Sequence, residues 1–194
     1  MRDEAARTAW REAVATRDPQ QFVFVDESGT HTSLTRLSGW APHDRRASGS
    51  VPRNHGHNTT LVAALTPDGL REPWLIEGAM DTATFEWYIR EELAPRLRPG
   101  QVVVLDNLSA HKAESIRQAL AARGCELLFL PPYSPDFTPI EQAFSKIKAL
   151  LRGLGARTHD ALQEAVRLAT EAITRDDAVA WFAHAGYVLP AQGT

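Results

Sequence analysis

Near the middle of the 194-residue chain, Gln101 to Leu105 (QVVVL) carries a continuous β-branched run that leaves no polar face. Such a run is a strand buried on both sides, as in sheets covered by helices. It ends in Asp106-Asn107. Ala113 to Arg123 then places apolar residues at helical spacing and closes at Gly124, and Glu126 to Leu130 is a second buried strand, stopped by Pro131-Pro132. A strand, a crossover helix and another strand join right-handed and lie parallel in one sheet. The spacing therefore predicts an α/β fold.

The flanking segments fit around that unit. From Arg2 to Arg17, Ala5, Ala6, Ala9, Trp10, Ala13 and Val14 recur at helical spacing until Asp18-Pro19, which predicts a short amphipathic helix. Phe22 to Val25 reads as a buried strand running into Asp26-Glu27-Ser28-Gly29, a turn composition. Thr32 to Ala41 is rich in β-formers and Thr59 to Thr66 is again strand-like, so an antiparallel meander is expected here, with Pro42 to Asn58 as a polar surface loop. Pro67-Asp68-Gly69 makes a turn and Trp74 to Ile76 a short strand. Asp81 can cap a helix reaching about Leu93. Helices are expected from Pro139 to about Leu151, over Asp160 to Thr174 and over Asp177 to Ala183.

Composition removes several classes of function. With 43% apolar and 23% charged residues the chain is an ordinary globular one, and its single cysteine, Cys125, excludes an internal disulfide and a multi-cysteine zinc site. The longest aliphatic run, Val102 to Leu105, is far short of the roughly 20 residues that cross a bilayer. The acidic N-terminus lacks the apolar region of a signal peptide, so the cytoplasm is the expected compartment. The net charge is −3, yet residues 31–60 carry +3 and residues 142–157 carry +4. A polyanion could dock on these two basic islands.

Three carboxylates stand where chemistry is commonly placed. Asp26 and Asp106 terminate strands, and Glu141 lies in the first turn of the helix after Pro139. Each also has a plain structural reading: Asp26 as a turn former, Asp106 as an acceptor for backbone amides, and Glu141 as the distal half of a Thr138-x-x-Glu141 capping box. Open sheets, however, bind ligands beyond the carboxyl ends of their strands. Clustered carboxylates raise one another's pKa and call for a hard cation. Mg²⁺ prefers such oxygens and completes its shell with water or phosphate, and two such ions can serve both sides of a phosphodiester displacement.

The strings VFVDESG (23–29), VVVLDNLSAH (102–111) and LPPYSPDFTPIEQAFSKIK (130–148) resemble the three signature blocks of DDE transposases of the mariner-like superfamily, in its bacterial insertion-sequence branch. The 34 residues between Asp106 and Glu141 are similar to the spacing in that superfamily, and TRLSGWAP (35–42) resembles its segment after the first acid. The resemblance implies a ribonuclease-H-like mixed sheet flanked by helices. It implies a linker-like helix over 1–19, the catalytic domain over 20–155, and C-terminal helices over 156–194 packed on that domain. Asp26, Asp106 and Glu141 would be the catalytic and metal-binding triad for two Mg²⁺ ions, with Mn²⁺ as substitute. Glu27, Asn107 and His111 would flank them, and Asp136 would be a turn residue. Arg45, Arg46, Arg53, Lys146, Lys148 and Arg152 would contact the DNA backbone.

The activity implied is metal-dependent cleavage of duplex DNA at element ends, followed by transfer of the 3′-hydroxyl strand to target DNA. The family also carries a helix-turn-helix recognition region, whereas 25 residues precede Asp26 here. A separate recognition partner or missing domain, and a homodimer, are accordingly expected. Two alternatives stay open from the residues: a non-catalytic DNA-binding or assembly remnant regulating a full-length transposase, and another ribonuclease-H-like nuclease.

Overall fold

A computed structural model describes residues 3–50, 52, 58–107 and 114–190. Its core is one five-stranded sheet: β1 (Phe22–Thr30), β2 (Thr59–Thr66), β3 (Gly69–Glu77), β4 (Val102–Leu105) and β5 (Glu126–Phe129), in the order β3-β2-β1-β4-β5. β1, β2 and β3 form an antiparallel meander, while β1, β4 and β5 run parallel. The helices are α1 (Glu4–Ala15), α2 (Thr82–Trp87, continued by a π turn over Tyr88–Leu93), α3 (Glu114–Ala122), α4 (Ile140–Leu154), α5 (His159–Glu171) and α6 (Arg175–His184). None of the described helices is long and apolar enough to cross a membrane.

Strand alternation divides the core into two layers. Phe22 and Phe24 of β1 and Val102 and Val104 of β4 face one way, against Trp10 of α1, Ala143, Phe144 and Ile147 of α4, Leu162 and Val166 of α5, and Phe182 of α6. Val23, Val25, Val103 and Leu105 face the other way, against Phe85, Tyr88 and Ile89 of the α2 region and Ile116 and Leu120 of α3. The unbroken VVVL run is the consequence of burial on both faces.

Two expectations need correcting. Asp26 to Gly29 is strand rather than turn, because Asp26 to Thr30 pair with Ala63 to Thr59 of β2. The neighbouring strand's ladder outweighs the local preference of an acid- and glycine-containing sequence. Thr32 to Ala41 forms no strand, and the third strand of the meander is β3. Arg157 instead holds the start of that segment, donating from Nη1 to the carbonyls of Thr32 and Leu34, each at 2.9 Å. Leu37 and Trp40 are 84% and 103% exposed, so their side chains supply no apolar face for sheet packing.

α1 is tied to the body by charge as well as packing. Arg7 lies on its inner side, only 1% exposed, and a buried guanidinium is costly unless its donors are paired. Its Nη1 donates to Ser134 Oγ (2.7 Å) and Asp136 Oδ1 (3.0 Å), its Nη2 to Asp136 Oδ2 (2.6 Å), and its plane sits 4.1 Å from the Phe137 ring centroid. At the end of the helix Arg17 makes a two-pronged pair with Glu126 of β5 (2.5 and 2.8 Å).

Candidate active site

The parallel register of β1 and β4 aligns Phe22 with Val102, Val23 with Val103 and Phe24 with Val104. Two residues beyond the last pair are Asp26 and Asp106. Asp26 shares the parity of Phe24, which places it on the sheet face covered by α4, and Asp106 follows the end of β4 at the same cavity. α4 enters that face from its N-terminal end and supplies Glu141 in its first turn. Asp26, Asp106, Asn107 and Glu141 line one cavity of about 410 Å³, whose other wall is the stretch from Leu130 to Pro135 together with Thr138.

Electrostatics reports the same proximity. The Asp26 carboxyl is pushed up to about 7, first by burial and further by the charges of Glu27, Glu141 and Asp106, against the opposing hydrogen bond from the Glu27 N–H (2.8 Å). Glu141 is exposed and its carboxylate makes no hydrogen bond or ion pair among the described residues. The expected Thr138-x-x-Glu141 capping box is absent: α4 begins after Pro139 with no side-chain cap, and Thr138 is buried beside the cavity. With that structural duty removed, Glu141 is left facing the two aspartates.

This donor set is all oxygen and strongly acidic, which suits a hard divalent cation better than any other partner. The half-buried Asp26, with its raised pKa, is the group that such a cation would neutralise. Among the described residues no three His, Cys, Asp or Glu side chains converge closely enough to hold a metal ion as they stand. The carboxylates therefore share a cavity without being drawn together.

The remaining sequence-expected residues separate into groups. Asn107 lines the cavity, whereas Glu27 follows Asp26 on the alternating strand and does not. His111 and Arg53 lie outside the described residues. Arg45 and Arg46 are exposed on the segment after β1 and do not line the cavity. Lys148 and Arg152 follow Glu141 at seven and eleven residues, so the three share one face of α4. Lys146 points elsewhere and donates to Asp177 Oδ2 of α6 at 2.5 Å, the lone carboxylate oxygen that also caps α6 through the Thr174 N–H. An expected DNA contact is thus already engaged within the fold.

Asp136 is more than a turn residue, since it is the counter-charge of the buried Arg7. Its partner lies 129 positions away, beyond any local pattern. The available signal was Arg7 itself, a cation three residues before Trp10 on the apolar stripe of its helix.

Comparison with known proteins agrees with this architecture. A family model described as DDE superfamily endonuclease matches residues 21–163. The chain is 28% identical over 171 residues to the transposable element Tcb2 transposase of Caenorhabditis briggsae, an alignment covering 80% of this chain and 62% of that protein. Its fold is similar to the Mos1 transposase paired-end complex with left transposon end (TM-score 0.69, 17% identity, 92% of this chain and 56% of that one). It is also similar to the catalytic domain of Mos1 mariner transposase (TM-score 0.63, 14% identity, 95% and 85%). Other structures of the Mos1 transposase are described with Mn and with Mg. The chain spans less than two thirds of the length of the Tcb2 transposase. The mixed sheet flanked by helices is a ribonuclease-H-like fold, as expected. Because the family match covers well over half of its residues and includes all three carboxylates, the chain belongs to the DDE superfamily endonucleases.

Proposed function

We propose that this chain is the catalytic domain of a DNA transposase of the bacterial insertion-sequence branch, cutting duplex DNA at element ends and transferring the 3′-hydroxyl strand to a target. The observation that carries this reading is that Asp26 on β1, Asp106 just past β4 and Glu141 at the start of α4 all line a single cavity. Asp26, Asp106 and Glu141 would hold two Mg²⁺ or Mn²⁺ ions. Bound there, the ions would supply the Lewis-acid charge that activates an attacking hydroxyl and stabilises the leaving oxygen.

The protein's own residues supply position and environment. Asp26 is fixed by β2 on one side and by the Glu27 N–H, so its carboxylate is the rigid reference of the site. Glu141, unbonded on α4, is the adjustable member. Asn107 offers an amide beside Asp106 for a phosphate oxygen. Lys148 and Arg152 extend the face of Glu141 along α4 and would carry the DNA backbone away from the cut, with Arg45, Arg46 and Arg53 as a second contact. Element-end recognition would come from a helix-turn-helix region in a partner or a further domain, and cleavage of paired ends from a homodimer, with the protein acting in the cytoplasm on nucleoid DNA.

The reading is tested by incubating the chain with supercoiled plasmid and a short duplex bearing a free 3′-hydroxyl in Mn²⁺. Metal-dependent nicking or joining that disappears in Asp106→Asn and in Glu141→Gln is expected. Products that persist in both variants would refute the triad.

A further inference from the structure

Ten residues, Leu130 to Pro139, connect β5 to α4; seven of them, Leu130 to Pro135 and Thr138, line the cavity, and four of the ten are prolines, which have no N–H to donate. Tyr133 adds a left-handed backbone conformation, at φ 54°. The backbone of the segment reaches the sheet through the Leu130 N–H on the Leu105 carbonyl (2.8 Å) and otherwise turns on itself, Phe137 onto Ser134 and Thr138 onto Pro135. A segment built this way must be held by side chains from elsewhere.

Those side chains come from both ends of the described chain. Arg7 of α1 takes Ser134 Oγ and both carboxylate oxygens of Asp136, and Tyr187, after α6, donates its hydroxyl to the Phe137 carbonyl at 2.8 Å while accepting from Trp10 Nε1 at 3.3 Å. Arg11 also lies over the Phe137 ring, at 4.9 Å. An apolar side chain at position 7 would pack on that ring as well as Arg7 does and would bury no charge. What it would lack is the planar fork, which fixes distance and direction at two residues together.

We infer that Arg7 is a positioning residue for the active site: its fork on Ser134 and Asp136 holds the proline-rich wall, and thereby sets Glu141 against Asp26 and Asp106. The inference rests on the metal-site reading above. Arg7 lies outside residues 21–163, so α1 gives the site a support that the family match does not contain. Because the wall joins directly to the first turn of α4, loosening it frees the start of the helix that carries Glu141.

The test uses the full chain with Arg7→Met, Arg7→Lys and Asp136→Asn, read by Mn²⁺ titration calorimetry and by amide hydrogen exchange, with circular dichroism and melting temperature to check folding. Glu141→Gln serves as the site reference. Arg7→Met is expected to stay folded, to lose about tenfold in Mn²⁺ affinity, and to exchange about tenfold faster over 133–142 while β1 and β4 keep their protection. Arg7→Lys, with the charge but not the fork, falls between it and the wild type. Asp136→Asn keeps the shape of the acceptor and replaces Arg7→Met should that variant unfold.

A lower melting temperature with wild-type Mn²⁺ affinity would make Arg7 a purely structural residue and overturn the inference. Faster exchange with unchanged affinity would overturn it equally. A wild type that binds no Mn²⁺, with duplex DNA as well as without it, while Glu141→Gln behaves identically would defeat the metal-site reading instead. In that case the inference falls with that reading, and exchange over 133–142 reports only whether Arg7 holds the segment before α4.

Discussion

Asp26 on β1 and Asp106 just past the end of β4 each lie two residues beyond the paired Phe24 and Val104, but they are held differently. Asp26 is still inside β1, with Ala63 of β2 beside it, whereas β4 has ended at Leu105 before Asp106 is reached. One carboxylate is therefore embedded in a sheet and the other begins a loop. Burial leads the causes that push the Asp26 carboxyl up to about 7.

A stability profile follows from that shift. Because the folded pKa lies above the ordinary value of 3.8, the folded state binds more protons than the unfolded one between about pH 4 and 7. Stability conferred by the protonated form is then lost as pH rises through that window and stays lost above it. Asp26→Asn should flatten the slope and, in the absence of divalent ions, be more stable than the wild type at pH 8 by on the order of 2 kcal/mol. Urea denaturation at pH 4.5 and pH 8 checks this, and parallel profiles for the two proteins would contradict it.

Asp177 behaves in the opposite sense. Its carboxyl is held below the ordinary range, chiefly by the hydrogen bond from Lys146, and it also accepts from Thr174. A depressed folded pKa contributes stability that is present above the unfolded value and lost as pH falls through the folded one. Asp177→Asn is expected to cost about 1 kcal/mol at pH 7, a difference that closes as the pH drops below about 4. Thermal melts across pH 2.5 to 7 would show the convergence, and a constant gap would exclude this role for Asp177.

The split between Lys146 and its neighbours on α4 gives a prediction for DNA. Lys148→Ala and Arg152→Ala should each lower the slope of log affinity against log salt by about 1. Lys146→Ala should leave that slope unchanged and reduce stability, because its charge is spent on Asp177. Fluorescence anisotropy with a labelled duplex over a salt series measures all three. A slope that moves for Lys146 and not for Lys148 would reverse the assignment.

What could be read from the sequence is what short-range pattern controls. The VVVL strand, the acids ending Phe22–Val25 and Gln101–Leu105, and the helix after Pro139 each declare themselves within a few residues. Their assembly around one cavity then follows from the crossover rule and the strand register. The features that escaped depend on distant partners. Asp26 to Gly29 has turn composition but is kept extended by β2, more than thirty positions along the chain. Thr32 to Ala41 has β-formers but no free strand beside it: β1 is flanked by β2 and β4. Thr138 and Glu141 have the spacing of a capping box, yet Pro139 between them starts the helix one residue too late for Thr138 to cap it. Lys146 and Asp136 look alike in sequence to any surface charge, and only the approach of α6 and α1 gives them their partners.

The central claim is that Asp26, Asp106 and Glu141 form one cation site. Calorimetric titration of Mn²⁺ into the wild type and into Asp106→Asn, each with and without duplex DNA and each checked for folding by circular dichroism, tests it most directly. Saturable binding to the wild type, strengthened by DNA, and its loss in the folded variant are expected. Equal binding by the two proteins, or binding by neither in the presence of DNA, would contradict it.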